Sequence, residues 1–419
     1  MKKQQSIKGS LVSVPEKIAL FMLGMGIALG MMELLLRTYP NWVPAEVRVN
    51  PPVRRVHAFI DETYEVRQSD GDLYHLIRGT IAPLSPDQDR VIAHVRMITD
   101  AYGFRNSLPE KATYGIVALG DSFTRASAVG SPWPQKLEEH TGMDVLNLGD
   151  VGFGPQDELK VLIQYGLKKQ PQWVILAYFG GNDLYDAASY EQANPFILFR
   201  FGRYMLNRSL EAWQDRKEAE SHVEVAPNYQ YPIMVTINNQ DLEMAFFSYY
   251  FAWLSANRDA IESSHNYRLV IETILQVREL SEATGARFLL VYVPSKEHVY
   301  LPYLNDADIL ARVFADVPTI ELDEAGILQF TSQSATPEFI RQHMDDQANL
   351  LADFAEENKI LYLNLTPTFQ EEAGTGAELY FSFDTHINQN GHDLAAETIN
   401  EYMKELLLNT TSKISENSR

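Results

Sequence analysis

A chain of 419 residues, 45% hydrophobic and 22% charged, has ample material for a core and is not a disordered polyelectrolyte. Its formal charge of −21 repels phosphate backbones and no basic stripe offsets it, so a nucleic-acid partner is not expected. The absence of cysteine excludes thiol catalysis, disulfides and Cys-bound zinc.

The first segment carries Lys2, Lys3, Lys8 and Lys17 against one acid, Glu16. The run Ile18 to Leu36, "IALFMLGMGIALGMMELLL", is then apolar except for Glu33. At ~1.5 Å per residue it is just long enough for a ~30 Å hydrocarbon core. Lysines before it and Arg37 after it direct the N-terminus to the cytoplasm. The expectation is therefore a cytoplasmic tail over 1–17, an uncleaved membrane anchor over 18–36, and everything beyond outside the cytoplasm. A cleaved signal peptide is the competing reading, but the small-x-small cleavage pattern is missing.

Residues 37–112 read as a mixed extracytoplasmic region. It opens with the Pro-rich spacer "YPNWVPAEVRVNPPVRR" and holds one strand, "RVIAHVRMIT".

From Tyr114 a regular rhythm sets in. "YGIVALG", "MDVLNLG", "QWVILAYFG", "ARFLLVYVP" and "ILYLNLT" are short apolar strands. Helices are expected between and after them, at about Ser131–His140, from Pro155, at Tyr267–Thr284, Pro337–Asn358 and Asn390–Leu407. The second carries Leu159, Leu162, Ile163 and Leu167 on one face. Alternation of this kind predicts an α/β fold of three layers. Its five-stranded parallel sheet is flavodoxin-like, with ligands beyond the carboxyl ends of the strands. Residues 193–262 interrupt the rhythm as an insertion. It contains "EAWQDRKEAESH" and a hairpin turning at Asn238-Asn239. The domain is expected over 113–408, with a frayed tail over 409–419.

Four blocks fall at strand ends or before a helix: "GDSF" with Ser122, "NLGDVGFG" with Gly152, "FGGNDL" with Asn182, and "FDTHINQNGH" with Asp384 and His386. Each alone is ordinary. Ser122 at a strand-to-helix turn is a natural cap, Gly152 a turn, "GGND" an Asx turn, and Asp384 a cap for the last helix. In a parallel sheet, however, all four loops converge on one edge. A serine needs an imidazole to take its proton, the imidazole needs a carboxylate, and a tetrahedral oxyanion needs donors aimed at it. His392, six residues after His386, is a rival base that reads more naturally as first-turn chemistry. Lys296 and His298 in "YVPSKEHVY" follow the fourth strand to the same edge, where either could touch substrate, and a solvated loop is the expected reading. Asp121 and Asp183 are expected to hold loops. No metal cluster, P-loop or dinucleotide fingerprint is present, so no cofactor is expected.

Together the blocks resemble those of the SGNH (GDSL) hydrolase superfamily, over about Tyr114–Leu184 and Tyr267–Leu407. The resemblance implies Ser122 as nucleophile and His386 as base with Asp384 as its partner. It further implies an oxyanion hole from the Ser122 N–H, Gly152 and Asn182. The spacing Asp-x-His departs from the Asp-x-x-His of many members. It is similar to a membrane-tethered branch that includes polysaccharide O-acetylation proteins. The expected function is a serine esterase acting on a small-molecule or glycan ester. An acyltransferase with the same residues, and a non-catalytic glycan- or partner-binding module, remain as alternatives. G-x-S-x-G is absent around Ser122, which argues against the α/β-hydrolase fold.

Overall fold

The computed structural model describes residues 14–39, 61–69, 75–78, 89–191, 198, 202, 233–382 and 384–417. The Pro-rich spacer, most of the 193–262 insertion with its charged stretch, and the first thirteen residues lie outside these.

The chain divides into two compact units, Met1–Pro52 with Glu191–His222, and Val53–Tyr190 with Val223–Arg419. In the first, Val14–Thr38 is a helix of 25 residues. Its Leu20, Phe21, Leu23, Ile27 and Leu34 are exposed, and Glu33 accepts the Leu198 N–H at 2.7 Å. Among the described residues, no helix is long and apolar enough to cross a membrane.

The second unit begins with an antiparallel sheet of β1 (Asp61–Ser69), β2 (His75–Arg78) and β3 (Asp89–Ile98), in the order β2-β1-β3. Val66 of β1 and Val95 of β3 are buried with Ala128, which lies just beyond the "GDSF" block, so this sheet abuts that block's loop.

The five expected strands form one sheet. They are β4 (Ile116–Leu119), β5 (Val145–Asn147), β6 (Trp173–Phe179), β9 (Arg287–Val293) and β12 (Leu361–Asn364). Between them in the chain, β7 (Ile233–Ile237) and β8 (Gln240–Met244) form the hairpin, whose turn residues Asn238 and Asn239 have φ of 50° and 63°. Both values are the left-handed pair a two-residue hairpin turn demands. A further two-stranded sheet, β10 (Pro318–Leu322) with β11 (Leu328–Ser334), has no counterpart in the sequence reading.

The sheet order β12-β9-β6-β4-β5, all parallel, is the flavodoxin-like 2-1-3-4-5 when its strands are counted alone. Every residue of β4 and β6 is buried, as a strand covered on both faces requires. Register places Ala118 beside Asn147 and Leu119 beside Leu176, while Phe179 pairs with Val293. The loops leaving β4, β5, β6 and β9 therefore emerge at the same edge.

Three helices depart from expectation. The amphipathic one is α-helical over Pro155–Val161 and then opens into a π turn, Leu162–Gly166. That widening turns Ile163 outward to 42% exposure, while Glu158 and Lys160 are buried. The helix expected over Pro337–Asn358 is broken into Pro337–His343 and Asp346–Glu357. The last helix runs from Gln389 to Asn417, through the tail expected to fray.

Candidate active site

Ser122 opens a four-residue helix, Ser122–Arg125, directly after β4. Asp121, not Ser122, is its N-cap: the Asp121 carboxylate accepts the Phe123 N–H at 2.9 Å. The ordinary capping duty is thus already filled, and the serine hydroxyl is left for another partner. Gly120 permits this turn, because a Cβ there would lie 2.1 Å from Thr124 Oγ1.

That partner comes from 264 residues away. His386 Nε2 lies 2.9 Å from Ser122 Oγ, and His386 Nδ1 lies 2.6 Å from Asp384 Oδ1. The same Asp384 oxygen accepts the His386 backbone N–H at 2.7 Å, which fixes the ring's root as well as its tautomer. A two-residue separation allows this because the loop folds back on itself. Phe381 N–H donates to His386 O, and Tyr380 bridges Ile387. Phe123 lies against the imidazole with ring centroids 4.8 Å apart and stacks on Phe179 at 3.7 Å. The Asp384 side chain is 1% exposed and that of His386 26%, so the carboxylate is shielded while the ring edge faces outward.

Gly152 sits in the loop after β5 with φ of +73°, a conformation that disfavours any side chain. Asn182 lies in the loop after β6, where its carbonyl accepts the N–H groups of Tyr185 and Asp186 and so starts the helix Asp183–Glu191. Its Oδ1 is buried without a partner among the described residues. The structure thus brings Ser122, His386 and Asp384 into hydrogen-bond contact. Gly152 and Asn182 are placed on neighbouring loops of the same edge.

His392 does not join them. It is buried, its Nδ1 accepts the Trp133 N–H at 3.3 Å, and burial pulls it down to about 3, so it is a neutral packing histidine. Asp183 holds its loop as expected, its Oδ2 accepting the Phe179 N–H at 2.8 Å.

The reading of "YVPSKEHVY" as solvated is wrong. Lys296, Glu297 and His298 open the helix Lys296–Tyr300 and are all buried. His298 Nε2 meets Asp345 Oδ1 at 2.8 Å, at the break between Pro337–His343 and Asp346–Glu357. Lys296 donates to four main-chain carbonyls.

Several supports escaped the sequence reading. Arg125, three residues after the serine, pairs with Asp150 at 2.6 Å with both side chains nearly inaccessible, locking the "GDSF" loop to the "NLGDVGFG" loop. Arg105 donates to the carbonyls of Val129 and Gly130 at 2.6 and 3.0 Å, and also to that of Ala126. Burial lowers its guanidinium to about 10. Behind the serine, the buried Asp121, Glu158 and Asp183 and the half-buried Asp186 form an acidic layer. Desolvation raises Asp121 to about 6 and Asp186 to about 7, and holds Glu158 and Asp183 well above the ordinary carboxylate range. Both Glu158 oxygens lack partners among the described residues, as a largely protonated carboxyl would tolerate. Among those residues no group of three or more His, Asp or Glu is arranged to hold a metal ion.

The GDSL-like Lipase/Acylhydrolase family matches residues 118–394, a span running from β4 into the last helix. The chain belongs to this family. As a GDSL-like acylhydrolase it is a hydrolase of ester bonds, and its parallel five-stranded sheet is that of the SGNH fold. Solved structures give looser overlays. A putative lipolytic protein of the G-D-S-L family from Desulfitobacterium hafniense has 14% identity over 68% of this chain and 98% of its own, with a TM-score of 0.33. A catalytic mutant of an acetylxylan esterase from Geobacillus stearothermophilus has 15% identity over 70% and 96%, also at 0.33. At such scores neither overlay bears on substrate or mechanism. No curated protein matches the chain.

Proposed function

We propose that this GDSL-like acylhydrolase is a serine esterase working through an acyl-enzyme on Ser122. The observation that carries the reading is the relay from Ser122 Oγ to His386 Nε2 at 2.9 Å and from Nδ1 to Asp384 at 2.6 Å. His386 takes the hydroxyl proton as Ser122 attacks the ester carbonyl, and Asp384 stabilises the imidazolium that forms. The proton passes to the departing alkoxide. Water, deprotonated by the same imidazole, then resolves the acyl-enzyme. The tetrahedral oxyanion is held by the Ser122 N–H, the Gly152 N–H and the Asn182 amide, whose buried oxygen leaves the nitrogen end for the ligand.

The substrate we favour is an O-acyl group on a glycan or envelope component, met outside the cytoplasm by a chain held at the membrane through the helix Val14–Thr38. The apolar run Ile18–Leu36 and the exposed Leu20, Phe21, Ile27 and Leu34 support the anchor. Transfer of the acyl group to a carbohydrate hydroxyl uses the same residues with the acceptor in place of water.

Turnover of short p-nitrophenyl esters tests the esterase, with Ser122→Ala and His386→Ala alongside. The proposal requires both variants to lose activity while folded. Acetyl counted on added glycan acceptors, against acetate released, separates transfer from hydrolysis. Alkaline carbonate extraction of membranes tests the anchor, which predicts that the chain stays in the pellet and that a chain lacking residues 1–38 does not.

A further inference from the structure

Lys296 is 1% exposed, yet it has no carboxylate within ion-pair distance among the described residues. Its Nζ lies 2.8 Å from Ala245 O, 2.8 Å from Phe381 O, 2.7 Å from Ser382 O and 3.2 Å from Asp384 O. Three of those four oxygens belong to the loop that carries Asp384 and His386, and the fourth follows directly on β8. Ala245 N–H returns a bond to Ser382 O at 2.8 Å, and the neighbouring Glu297 Oε1 accepts the Phe247 N–H at 2.8 Å. The dipeptide Lys296-Glu297 therefore joins β9, the hairpin end and the acid–base loop. Within the loop's first half, the backbone bond Asp384 N–H to Phe381 O is long, at 3.4 Å.

Burying an ammonium without a counter-ion is expensive, several kcal/mol per ion even after relaxation. A fold that needed only packing here would be better served by an apolar side chain. What an ammonium adds is three charge-assisted donors that tie two segments of main chain, the end of β8 and the loop at Phe381–Ser382, to one point.

We propose that Lys296 is a positioning residue of the ester chemistry, its ammonium clamping Phe381–Asp384 to the end of β8 and so setting where His386 meets Ser122. The inference rests on the esterase reading. Lys296 touches no substrate, since its donors are all engaged and its side chain is enclosed. Burial lowers it to about 8, with Glu297, Asp384 and Glu378 as the charged groups facing it, so the clamp is complete at neutral pH and loosens above it.

The test measures kcat and KM for p-nitrophenyl acetate from pH 6 to 10 with the full chain, its Lys296→Met and Lys296→Arg variants, and Ser122→Ala. Near-UV circular dichroism monitors the fold. Misplacement of an acid–base group by about 1 Å costs ~10²-fold, so Lys296→Met should lose kcat by at least tenfold at nearly unchanged KM. Wild-type kcat should fall as pH passes about 8 while the chain stays folded. Lys296→Arg, which cannot deprotonate in that range, should lack that fall whatever its neutral level. A folded Lys296→Met within threefold of wild type overturns the proposal, as does a flat wild-type profile to pH 10 or an unchanged alkaline limb in Lys296→Arg. If Lys296→Met does not fold, the two pH profiles decide. Residual full turnover in Ser122→Ala would instead overturn the esterase reading itself, which keeps the two failures apart.

Discussion

The Asp384→Asn substitution separates charge from geometry in the relay. An asparagine oxygen in place of Oδ1 can still accept the His386 backbone N–H, now at 2.7 Å, and the ring Nδ1–H, now at 2.6 Å, so the loop should keep its shape. What vanishes is a buried negative charge beside an imidazolium that forms during attack. At a charge separation of about 4 Å and an effective dielectric of ~20, that attraction is ~4 kcal/mol. With 1.36 kcal/mol per decade, it corresponds to a loss of about 10³ in kcat. The assay is single-turnover acylation by p-nitrophenyl acetate at pH 7.5 with equal folded concentrations. Asp121→Asn serves as control, since Asp121 is committed to capping Phe123 and should change kcat by less than about tenfold. A loss below tenfold in Asp384→Asn, or a larger loss in Asp121→Asn, would refute the assignment of Asp384 as the histidine's partner.

Other substitutions probe the surrounding parts. Asn182→Ala should lower kcat by ~10²-fold or more at similar KM, as removal of an oxyanion donor does; a raised KM at unchanged kcat would point to ground-state binding instead. His392→Ala should leave kcat of the folded fraction within about threefold while lowering unfolding free energy by ~1–3 kcal/mol, because the Trp133 N–H loses its buried acceptor; a collapse of kcat would restore His392 as base. Glu158→Gln tests the acidic layer. A carboxyl whose folded-state value is raised binds more protons folded than unfolded, so its contribution is full below its unfolded value near 4.3 and is lost as pH rises through the folded one. Wild type should therefore melt higher at pH 5 than at pH 8, and Glu158→Gln should gain about 2 °C or more at pH 8 but not at pH 4. Equal melting temperatures for the two proteins at pH 8 would contradict it.

The sheet was legible because strands covered on both faces are continuous apolar runs, and "QWVILAYFG" or "ARFLLVYVP" admit little else. The four blocks were legible because topology forces loops after parallel strands to one edge, whatever their distance in sequence. Buried charges were not legible. Lys296 reads as surface because the carbonyls that receive it lie 51 to 88 residues away, and no local pattern announces them. Glu158 and Lys160 likewise sit where an amphipathic wheel places solvent, yet residues 158–162 are buried without interruption, so that helix is covered on every side there. The break after His343 was hidden because apolar spacing continues through it; the interruption comes from His298 reaching Asp345, and from Asp346 engaging the Arg258 N–H and His343. The four blocks together single out Ser122, and the structure adds that Asp121 takes the capping duty. A capping aspartate directly before the serine frees its hydroxyl, which four letters of sequence leave undecided.

Rapid-quench mass spectrometry of the full chain mixed with p-nitrophenyl acetate most directly tests the central claim. An acyl-enzyme mechanism predicts a transient single acetyl on the peptide carrying Ser122, absent in Ser122→Ala. Turnover with acetyl on another residue, or with Ser122→Ala as active as wild type, would contradict it.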